Sequence, residues 1–322
     1  MKDLMKSPVL VTGATGFIGA NLTRRLADQN VDVHVTIRKE SDTWRIGDIL
    51  KDIEYHTVDL TDTDSTKRLV SDVKPGAVFH CAVYGGYASQ TDIDKILRVN
   101  VGGTANLLNA LSEVGCDCFI NTDSSSEYGI KAGPMKETDP LEPVTVYGMS
   151  KATMTALCQA FGRTHGISNI TLRPFSPYGP YDGGSRLIST VIMACLSSRD
   201  PKLSGPDAVR DFVFIDDVID AYMLAAGMYS DLKNEVVNIG SGRQYSVGEA
   251  AAEIIDLTST DVSVQWGVVD NPRKEPGSWS ADISHAERLL GWKPRHSLRD
   301  GLKKTIEWFR AHPAFYAVQS DV

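Results

Sequence analysis

The feature that most constrains the fold of this chain is a glycine-rich segment close to its N-terminus. The segment VLVTGATGFIG, residues 9–19, has the pattern of an apolar strand, a tight turn and the start of a helix. Gly13 permits the turn, Gly16 lets the backbone approach a pyrophosphate, and Gly19 lets helix and strand pack closely. The helix N-terminus then offers free N–H groups and a partial positive charge to phosphates. The segment predicts a dinucleotide site with contacts from Gly13, Thr15, Gly16, Phe17, Ile18 and Gly19.

Hydrophobic periodicity places this turn at the start of a strand–helix alternation. Predicted strands at 9–11, 31–37, 54–58, 77–80 and 118–120 alternate with predicted helices at 18–29, 64–73 and 93–114. Such alternation predicts a parallel sheet covered by helices on both faces. Because crossover connections are right-handed, the expected fold is α/β, a doubly wound parallel sheet of the Rossmann type.

The pattern changes after Leu141. A long helix is predicted at 144–165, a strand at 170–172, and a loop rich in Gly, Pro and Tyr at 174–185. We expect residues 1–173, together with about 211–240, to form the dinucleotide-binding domain. The remaining segments, 174–210 and 241–322, are expected to form a smaller, interleaved C-terminal substrate-binding lobe.

Composition limits the classes of function. The 322 residues are 42% hydrophobic and 23% charged, as in ordinary soluble globular proteins. The net charge of −8 gives nucleic-acid binding no general electrostatic support. No run approaches the roughly 18 apolar residues of a membrane span, and the first seven residues lack the apolar stretch of a signal peptide. We therefore expect a cytoplasmic protein with neither membrane nor nucleic-acid partners.

The five cysteines form an odd set without a C-x-x-C spacing. Cys116 and Cys118 stand two apart before an apolar run, so both are expected on one face of a strand. Buried free thiols are the favoured interpretation, and a metal or redox pair is the alternative. Free thiols fit a reducing cytoplasm, and no metal is expected.

The end of the second predicted strand bears on the choice of cofactor. An acidic residue about 20 positions after the glycines binds the ribose 2′-hydroxyl of NAD, whereas arginine accepts the 2′-phosphate of NADP. Here the strand ends in Arg38 and Lys39, and the acid is absent. We expect NADP, with NAD as the less favoured cofactor, while a solvated basic strand end is the alternative. Asp59 and Leu60, after the third strand, are expected at the adenine edge.

A candidate catalytic pair lies on the long predicted helix. Tyr147 and Lys151 are four residues apart, so both side chains share one helix face. A nearby ammonium favours the phenolate, which lets such a pair act as acid or base at neutral pH. One strand upstream, the hydroxyl-rich segment TDSSSEYG begins at Thr122, at the sheet edge where ligands of parallel sheets bind. Ser124 is expected to hydrogen-bond the reacting oxygen, although a serine-rich turn can also simply cap its own backbone.

These motifs together resemble the extended short-chain dehydrogenase/reductases, the group that holds nucleotide-sugar epimerases, dehydratases and 4-ketoreductases. The resemblance runs almost from end to end. It is carried by TGATGFIG (12–19), FHCA (79–82), RVNVGGT (98–104), SSSEYG (124–129), YGMSK (147–151), LRPFSPYGP (172–180), RDFVFIDDV (210–218), NIGSG (238–242) and ADISHAERLLGWKP (281–294).

The resemblance implies roles for individual residues. Ser124, Tyr147 and Lys151 are implied as the catalytic set, with Lys151 also on the nicotinamide ribose. Further cofactor contacts are implied for Cys81, Ala82, Asn100 and Pro174. Substrate contacts are implied for Ser125, Ser126, Ser176, Arg210 and Arg273, of which the two arginines match positions that clamp a diphosphate. Tyr84 begins the segment 84–87, which is expected to line the sugar pocket, with simple packing or a hinge as the alternative.

The resemblance also implies a homodimer that uses the helices around 93–114 and 144–165. Met154, Leu157 and Phe161 are candidates to pack across a two-fold axis, or else they belong to the core.

Departures from the group pattern narrow the chemistry. The 4,6-dehydratases of the group carry an Asp–Glu pair directly after the catalytic hydroxyl residue, whereas this chain has Ser125 and Ser126 there. Glu127, one place later, is expected to point elsewhere. In the substrate-phosphate loop, Ser176 replaces the usual asparagine. Dehydration therefore lacks its acid and base.

Several reactions remain open from the sequence. The favoured one is NADPH-dependent reduction of the C4 ketone of a nucleotide-diphospho 4-keto-deoxysugar, loosely similar to CDP-abequose synthesis, because NADPH is the usual reducing partner. The first alternative is a nucleotide-sugar 4-epimerase, which needs the same catalytic residues. A carbonyl reductase with a non-nucleotide substrate and a catalytically silent NADP-binding sensor are further alternatives.

Overall fold

The computed structural model describes residues 7–269 and 277–314. Its strands are, in chain order, β1 Val9–Thr12, β2 Val33–Ile37, β3 Glu54–Thr57, β4 Ala77–His80, β5 Cys118–Thr122, β6 Ser168–Pro174, β7 Ser176–Tyr178, β8 Lys202–Leu203, β9 Val209–Arg210, β10 Phe212–Phe214, β11 Glu235–Ile239, β12 Tyr245–Ser246 and β13 Gln265–Trp266. Its α-helices are α1 Phe17–Ala27, α2 Thr63–Val73, α3 Ile93–Ile96, α4 Gly103–Val114, α5 Val146–His165, α6 Leu187–Leu196, α7 Ile215–Gly227, α8 Val247–Thr258, α9 Ser284–Leu290 and α10 Leu298–Ala311.

Seven strands form one parallel sheet in the order β11-β6-β5-β4-β1-β2-β3. The strand order reverses between β1 and β4, which is the switch point at which ligands of doubly wound sheets bind. The predicted Rossmann-type α/β fold is confirmed. The division of the chain into two lobes with the boundaries given above stays a prediction.

Alternation along β1 shows why both faces of the sheet are covered. Val11 belongs to the larger apolar cluster, together with Leu22 of α1. Its neighbour Leu10 points to the opposite face and packs in a second cluster with Leu107 of α4. Because successive side chains of a strand point to opposite faces, a strand of continuous apolar residues requires helices on both sides.

The predicted helix at 93–114 is interrupted by a π-helical turn, Leu97–Gly102. Asn100 lies in this turn and is fully buried. Its side-chain Oδ1 accepts the Tyr84 N–H, and its Nδ2 donates to the Tyr84 carbonyl, both at 2.8 Å. Nδ2 also donates to Ser150 Oγ at 2.9 Å. These tertiary contacts coincide with the wider turn, and π-bulges of this kind occur frequently at functional sites.

The segment predicted as a loop at 174–185 contains a short strand, β7, which pairs in parallel with β10. The partner strand is far away in sequence, so no local pattern could have indicated the pairing. The predicted strand at 118–120 likewise continues to Thr122 because β5 is paired along its whole length with β6.

Helix α5 begins two residues later than predicted. The Thr145 side chain accepts a hydrogen bond from the Gly148 N–H at 3.0 Å, which caps the helix. The helix ends at Gly166, whose φ of 72° is typical of a glycine C-cap. The cap places Tyr147 in the first turn of α5 and Lys151 in the next.

The cysteine prediction holds in part. All five cysteines are free thiols. Cys116, however, does not share a strand face with Cys118 because it lies before β5, and its thiol donates to the Cys118 carbonyl at 3.1 Å.

Within the described residues, no α-helix combines the length and the apolar character needed to cross a bilayer.

Candidate active site

The glycine turn between β1 and α1 has the geometry expected for a dinucleotide site. A Cβ on Gly13, where φ is +70°, would lie 2.5 Å from Ala82 N, and one on Gly19 would lie 2.2 Å from Gly13 O. Both close approaches require glycine. The described chain provides no acceptor for the N–H groups of Phe17 and Ile18 at the start of α1. These free donors fit the phosphates of a dinucleotide.

The two residues after β2 are exposed. The Arg38 side chain is 44% exposed, and its Nε lies 3.6 Å from Glu40 Oε1. Lys39 is exposed beside it. Because its partner Glu40 is itself exposed, the guanidinium of Arg38 is available to a ligand at the end of β2.

The loop after β3 lies next to that position, because β3 pairs with β2. Asp59 is exposed and accepts the Thr61 N–H at 2.9 Å, while Leu60 is buried under Gly103. The predicted adenine-edge roles of Asp59 and Leu60 remain predictions.

Lys151 is buried against the end of β5. Its Nζ donates to the Thr122 carbonyl at 2.8 Å, and Met154 Sδ lies 3.8 Å away. An ammonium has three N–H donors, so at least one remains for a hydroxyl group of a bound cofactor. Fixed in this way, Lys151 sits one helical turn from Tyr147.

The Tyr147 ring is half-buried and is held by the loop after β4. A Cβ on Gly85 would lie 3.2 Å from Tyr147 Cδ2, so the loop backbone contacts the ring closely. The same loop is anchored by Asn100 through Tyr84, and Ser150 donates to the Tyr147 carbonyl at 2.8 Å. The contacts of Asn100 are therefore to protein groups that hold the loop and the first turn of α5.

The serine turn lies directly against the start of α5. A Cβ on Gly148 would come within 2.4 Å of Ser126 O, so glycine is needed for this approach. Ser124 caps the short 3₁₀ helix Ser125–Glu127, and its Oγ accepts the Ser126 N–H at 3.2 Å. Ser124 remains half-buried, whereas Ser125 is buried. The fold thus brings Ser124, Tyr147 and Lys151 together at one sheet edge.

Glu127 is held by protein groups, and its Oε1 accepts the Ser124 N–H at 3.4 Å. It is fully buried and forms an ion pair with Arg173 of β6, with Oε2 2.7 Å from Arg173 Nη2. Arg173 also donates to the Tyr128 hydroxyl at 3.0 Å, and that hydroxyl donates to Asn238 Oδ1 at 2.7 Å. A carboxylate held in this network is not free to act on a substrate.

Asp123 adds a second buried carboxyl group beside Glu127. Thr155 Oγ1 donates to Asp123 and lies 3.3 Å from Glu127 Oε2, so it bridges the two. Burial raises the pKa of Asp123 well above its usual range, and the charge of Glu127 raises it further.

Sequence reasoning missed Asp123, Thr155 and Arg173. Arg173 stood inside the motif LRPFSPYGP, but nothing in that motif indicated a partner on the serine turn. Arg173 directly follows the predicted strand 170–172, and its burial became visible only in the structure, where an arginine is almost never fully buried without a partner.

The predicted substrate residues are spread over the C-terminal edges and the following segments. Ser176 begins β7 and Arg210 ends β9, and both are half-buried. Pro174 ends β6. Arg273 lies outside the described residues. The roles assigned to these residues remain predictions.

Two of the three residues considered for a dimer interface are buried within the chain itself. Met154 is 0% exposed and Phe161 is 9% exposed. Leu157 packs on the second apolar cluster. Met154 and Phe161 therefore belong to the core of the single chain, while the predicted homodimer stays a prediction.

Comparison with known proteins gives a consistent match. The family described as the NAD dependent epimerase/dehydratase family matches residues 9–240. A UDP-glucose 4-epimerase from Lactobacillus helveticus is 30% identical over 334 aligned positions, which cover 96% of this chain and 98% of the relative.

Solved structures give the same result. The UDP-glucuronic acid 4-epimerase from Bacillus cereus, in complex with UDP-glucuronic acid and NAD, has a TM-score of 0.85 at 27% identity and covers 94% of this chain and 99% of its own. The UDP-glucose 4-epimerase from Thermotoga maritima, with UDP-glucose, has a TM-score of 0.86 at 27% identity, with coverages of 95% and 99%. The first of these relatives binds NAD, which does not support our preference for NADP over NAD.

Proposed function

The chain belongs to the NAD dependent epimerase/dehydratase family, and from this premise we propose that it is a 4-epimerase of a nucleotide-diphospho-sugar that uses a nicotinamide dinucleotide. This was the first alternative to the 4-ketoreductase that the sequence favoured. The observation that carries the proposal is the close contact of the serine turn, which holds Ser124, with the first turns of α5, which carry Tyr147 and Lys151. Support also comes from the 4-epimerases among its relatives.

The serine turn argues against dehydration. Ser125 and Ser126 stand where the resemblance predicts an acid and a base in dehydratases, and Glu127 is held by Arg173 at 2.7 Å. A 4-epimerase needs no such pair, because it removes and returns hydrogen at one carbon.

The residues present fit a nicotinamide dinucleotide. The free N–H groups at the start of α1 suit its diphosphate, and the spare donor of Lys151 suits a ribose hydroxyl group. When bound, the nicotinamide supplies the acceptor and then the donor of the C4 hydride. Arg38 and Lys39 lie at the end of the neighbouring strand, where the adenosine ribose of such a cofactor is expected.

The proposed mechanism uses the three residues as follows. Tyr147 takes the proton of the sugar C4 hydroxyl as the hydride leaves C4. Ser124 donates a hydrogen bond to the C4 oxygen, and Lys151 binds a ribose hydroxyl group of the cofactor. In the second half of the reaction, the 4-keto sugar presents its other face, and Tyr147 returns the proton to the C4 oxygen as the ketone is reduced again. The reaction is therefore redox-neutral.

A substrate panel tests this proposal. Purified protein is incubated with UDP-, dTDP-, GDP- and CDP-sugars, and the C4 epimers are separated by chromatography. We expect interconversion of at least one unmodified nucleotide-sugar with its C4 epimer, without net change in the absorbance of the reduced cofactor. Stoichiometric loss of NADPH with a 4-keto substrate, and no interconversion of unmodified sugars, would contradict it.

Stoichiometric loss of NADPH with a 4-keto substrate is the result expected of the second candidate function, a 4-ketoreductase. One observation favours it: the exposed cations of Arg38 and Lys39 at the end of β2, which suit the 2′-phosphate of NADPH. Replacing the catalytic residues cannot separate the two reactions, because both use Ser124, Tyr147 and Lys151.

Replacing Arg38 tests whether the protein prefers NADP or NAD. If Arg38 binds a 2′-phosphate, Arg38→Ala removes a charge-assisted hydrogen bond and raises the Kd for NADP about tenfold. The Kd for NAD should stay nearly unchanged. Calorimetric titration of both nucleotides measures the difference, with Arg199→Ala as an exposed control. Equal changes for NAD and NADP would refute the phosphate contact and favour NAD, the cofactor of the Bacillus cereus relative.

A further inference from the structure

Arg45 is a buried arginine that the catalytic proposal does not use. It lies in the segment between β2 and β3 and is 9% exposed. Its Nε donates to the Tyr181 carbonyl at 2.8 Å, and its Nη1 donates to the Thr15 carbonyl at 3.1 Å. One guanidinium group therefore joins the glycine turn to the segment after β7.

The bond to Thr15 lies directly before the start of helix α1. Gly16 is the N-cap of α1, and the first main-chain bond of the helix runs from Ala20 N to Gly16 O at 2.8 Å. The Thr15 carbonyl, one residue before the cap, binds Arg45. Since the helix bonds start at Ala20, the N–H of Gly19 joins those of Phe17 and Ile18 as a donor without a backbone acceptor in the described chain.

Arg45 is itself held in place. The guanidinium of Arg24, on α1, donates twice to the Arg45 carbonyl, at 3.0 and 2.8 Å, and also binds Asp48. The Arg45 guanidinium stacks on the Trp44 ring at 4.4 Å. These contacts restrict the arginine to one orientation, so that little conformational entropy is lost when it holds its two carbonyl partners.

The segment after β7 is also held against α1 at further points. Asn21 donates to the Pro180 carbonyl at 3.2 Å, and the Arg24 guanidinium stacks on the Tyr181 ring at 4.2 Å. Tyr181 has a φ of +67°, which costs a non-glycine residue free energy and persists only where the surroundings enforce it. Nearby, a Cβ on Gly183 would lie 2.9 Å from the Tyr87 hydroxyl, so the loop after β4 also reaches this segment.

We propose that Arg45 is a positioning residue for the dinucleotide. It fixes the position of the glycine turn by tying the Thr15 carbonyl to residues 180–183, so that the free N–H groups at the start of α1 are held in place for the diphosphate of the bound nucleotide. This inference rests on the proposed function only in assuming that a nicotinamide dinucleotide binds at the glycine turn. Arg45 acts through the turn, and the ligand it serves is the diphosphate group.

The test compares Arg45→Lys with the wild-type enzyme. Lysine keeps the charge, but its single ammonium cannot reproduce the planar fork that spans two carbonyl oxygens. We expect the Kd for NAD and for ADP to rise about tenfold, whereas the Kd for adenosine, which has no phosphate, stays within about twofold. At saturating NAD, kcat should remain close to wild type, because Tyr147, Lys151 and Ser124 are untouched.

A matched control is Arg25→Lys. Arg25 lies next to Arg24 on α1 and pairs with Asp220 at 2.7 Å, away from the turn. Its Kd values for all three ligands should match the wild type. An unchanged Kd for NAD in Arg45→Lys, even with a lowered Tm, would assign Arg45 a purely structural role and overturn the proposal. Equal losses for NAD and adenosine would overturn it as well.

A second measurement needs no variant. Amide exchange of the wild-type protein should show the Gly19 N–H unprotected without nucleotide and protected when NAD or ADP is added. Protection of Gly19 in the free protein would contradict the assignment of its N–H group as a free donor for the diphosphate. If the wild-type protein binds neither NAD nor NADP, the proposed function fails instead, and the two failures are thereby distinguished.

Discussion

Replacing Tyr147 with Phe is expected to lower kcat about a thousandfold, because positioned proton transfer contributes roughly two to four orders of magnitude. The phenyl ring of the variant keeps the contact with Gly85, whose Cβ position lies 3.2 Å from Tyr147 Cδ2. Only the hydroxyl group that exchanges the proton is lost. The Kd for the nicotinamide nucleotide should therefore stay close to wild type, since Lys151 keeps its bond to Thr122.

The measurement is the initial rate of epimer formation at saturating sugar nucleotide, together with a nucleotide titration. Tyr55→Phe is the matched control, because Tyr55 is 54% exposed on the edge strand β3, far from the switch point in the strand order. A loss in kcat smaller than about tenfold would show that another group transfers the proton. If the biological function of the protein is unchanged in Tyr147→Phe, the alternative of a catalytically silent NADP-binding sensor is favoured.

The second large effect concerns stability. Glu127→Gln leaves the Arg173 cation buried without its counter-charge, and breaking a buried pair in this way costs about 3–5 kcal/mol. Glu127 is 0% exposed and Arg173 3% exposed in side-chain area, so water cannot replace the lost charge. We expect the free energy of unfolding to fall by about 3 kcal/mol, because the amide oxygen can still accept one hydrogen bond.

Urea unfolding followed by circular dichroism measures this change. Glu287→Gln is the control, since Glu287 pairs with Lys293 at 2.6 Å on the surface, where both side chains are about half exposed or more. Its effect should stay below about 1 kcal/mol. Folded Glu127→Gln enzyme should retain most of its kcat. A large loss of kcat without loss of stability would instead give Glu127 a role in acid–base chemistry and reopen the dehydratase alternative.

The residues behind these two predictions differ in how much of their arrangement the sequence indicates. Tyr147 and Lys151 were found by their spacing, because two residues four apart on a helix share a face wherever that helix lies. Glu127 was predicted to point elsewhere from the serine turn alone. Its ion pair with Arg173 was not accessible, because the partners lie 46 residues apart on different elements.

The alternation of strands and helices could also be predicted from the sequence, and it indicated a parallel sheet with both faces covered. The exact ends of the helices and strands could not be predicted as well. The start of α5 was missed by two residues because the Thr145 cap was not considered, and β7 was missed because its partner β10 lies more than thirty residues away. The π-helical turn at Asn100 was invisible in the sequence, since it accompanies contacts to Tyr84 and Ser150.

The sequence by itself determined the glycine turn, the Tyr147–Lys151 pair and the parallel sheet, because each follows from backbone conformation and periodicity within a few residues. Only the tertiary structure decided what surrounds them. Arg45 meets Thr15 and Tyr181 across 30 and 136 residues of chain. Such contacts depend on how the whole sheet orders its strands, and for that reason no local pattern of residue types encodes them.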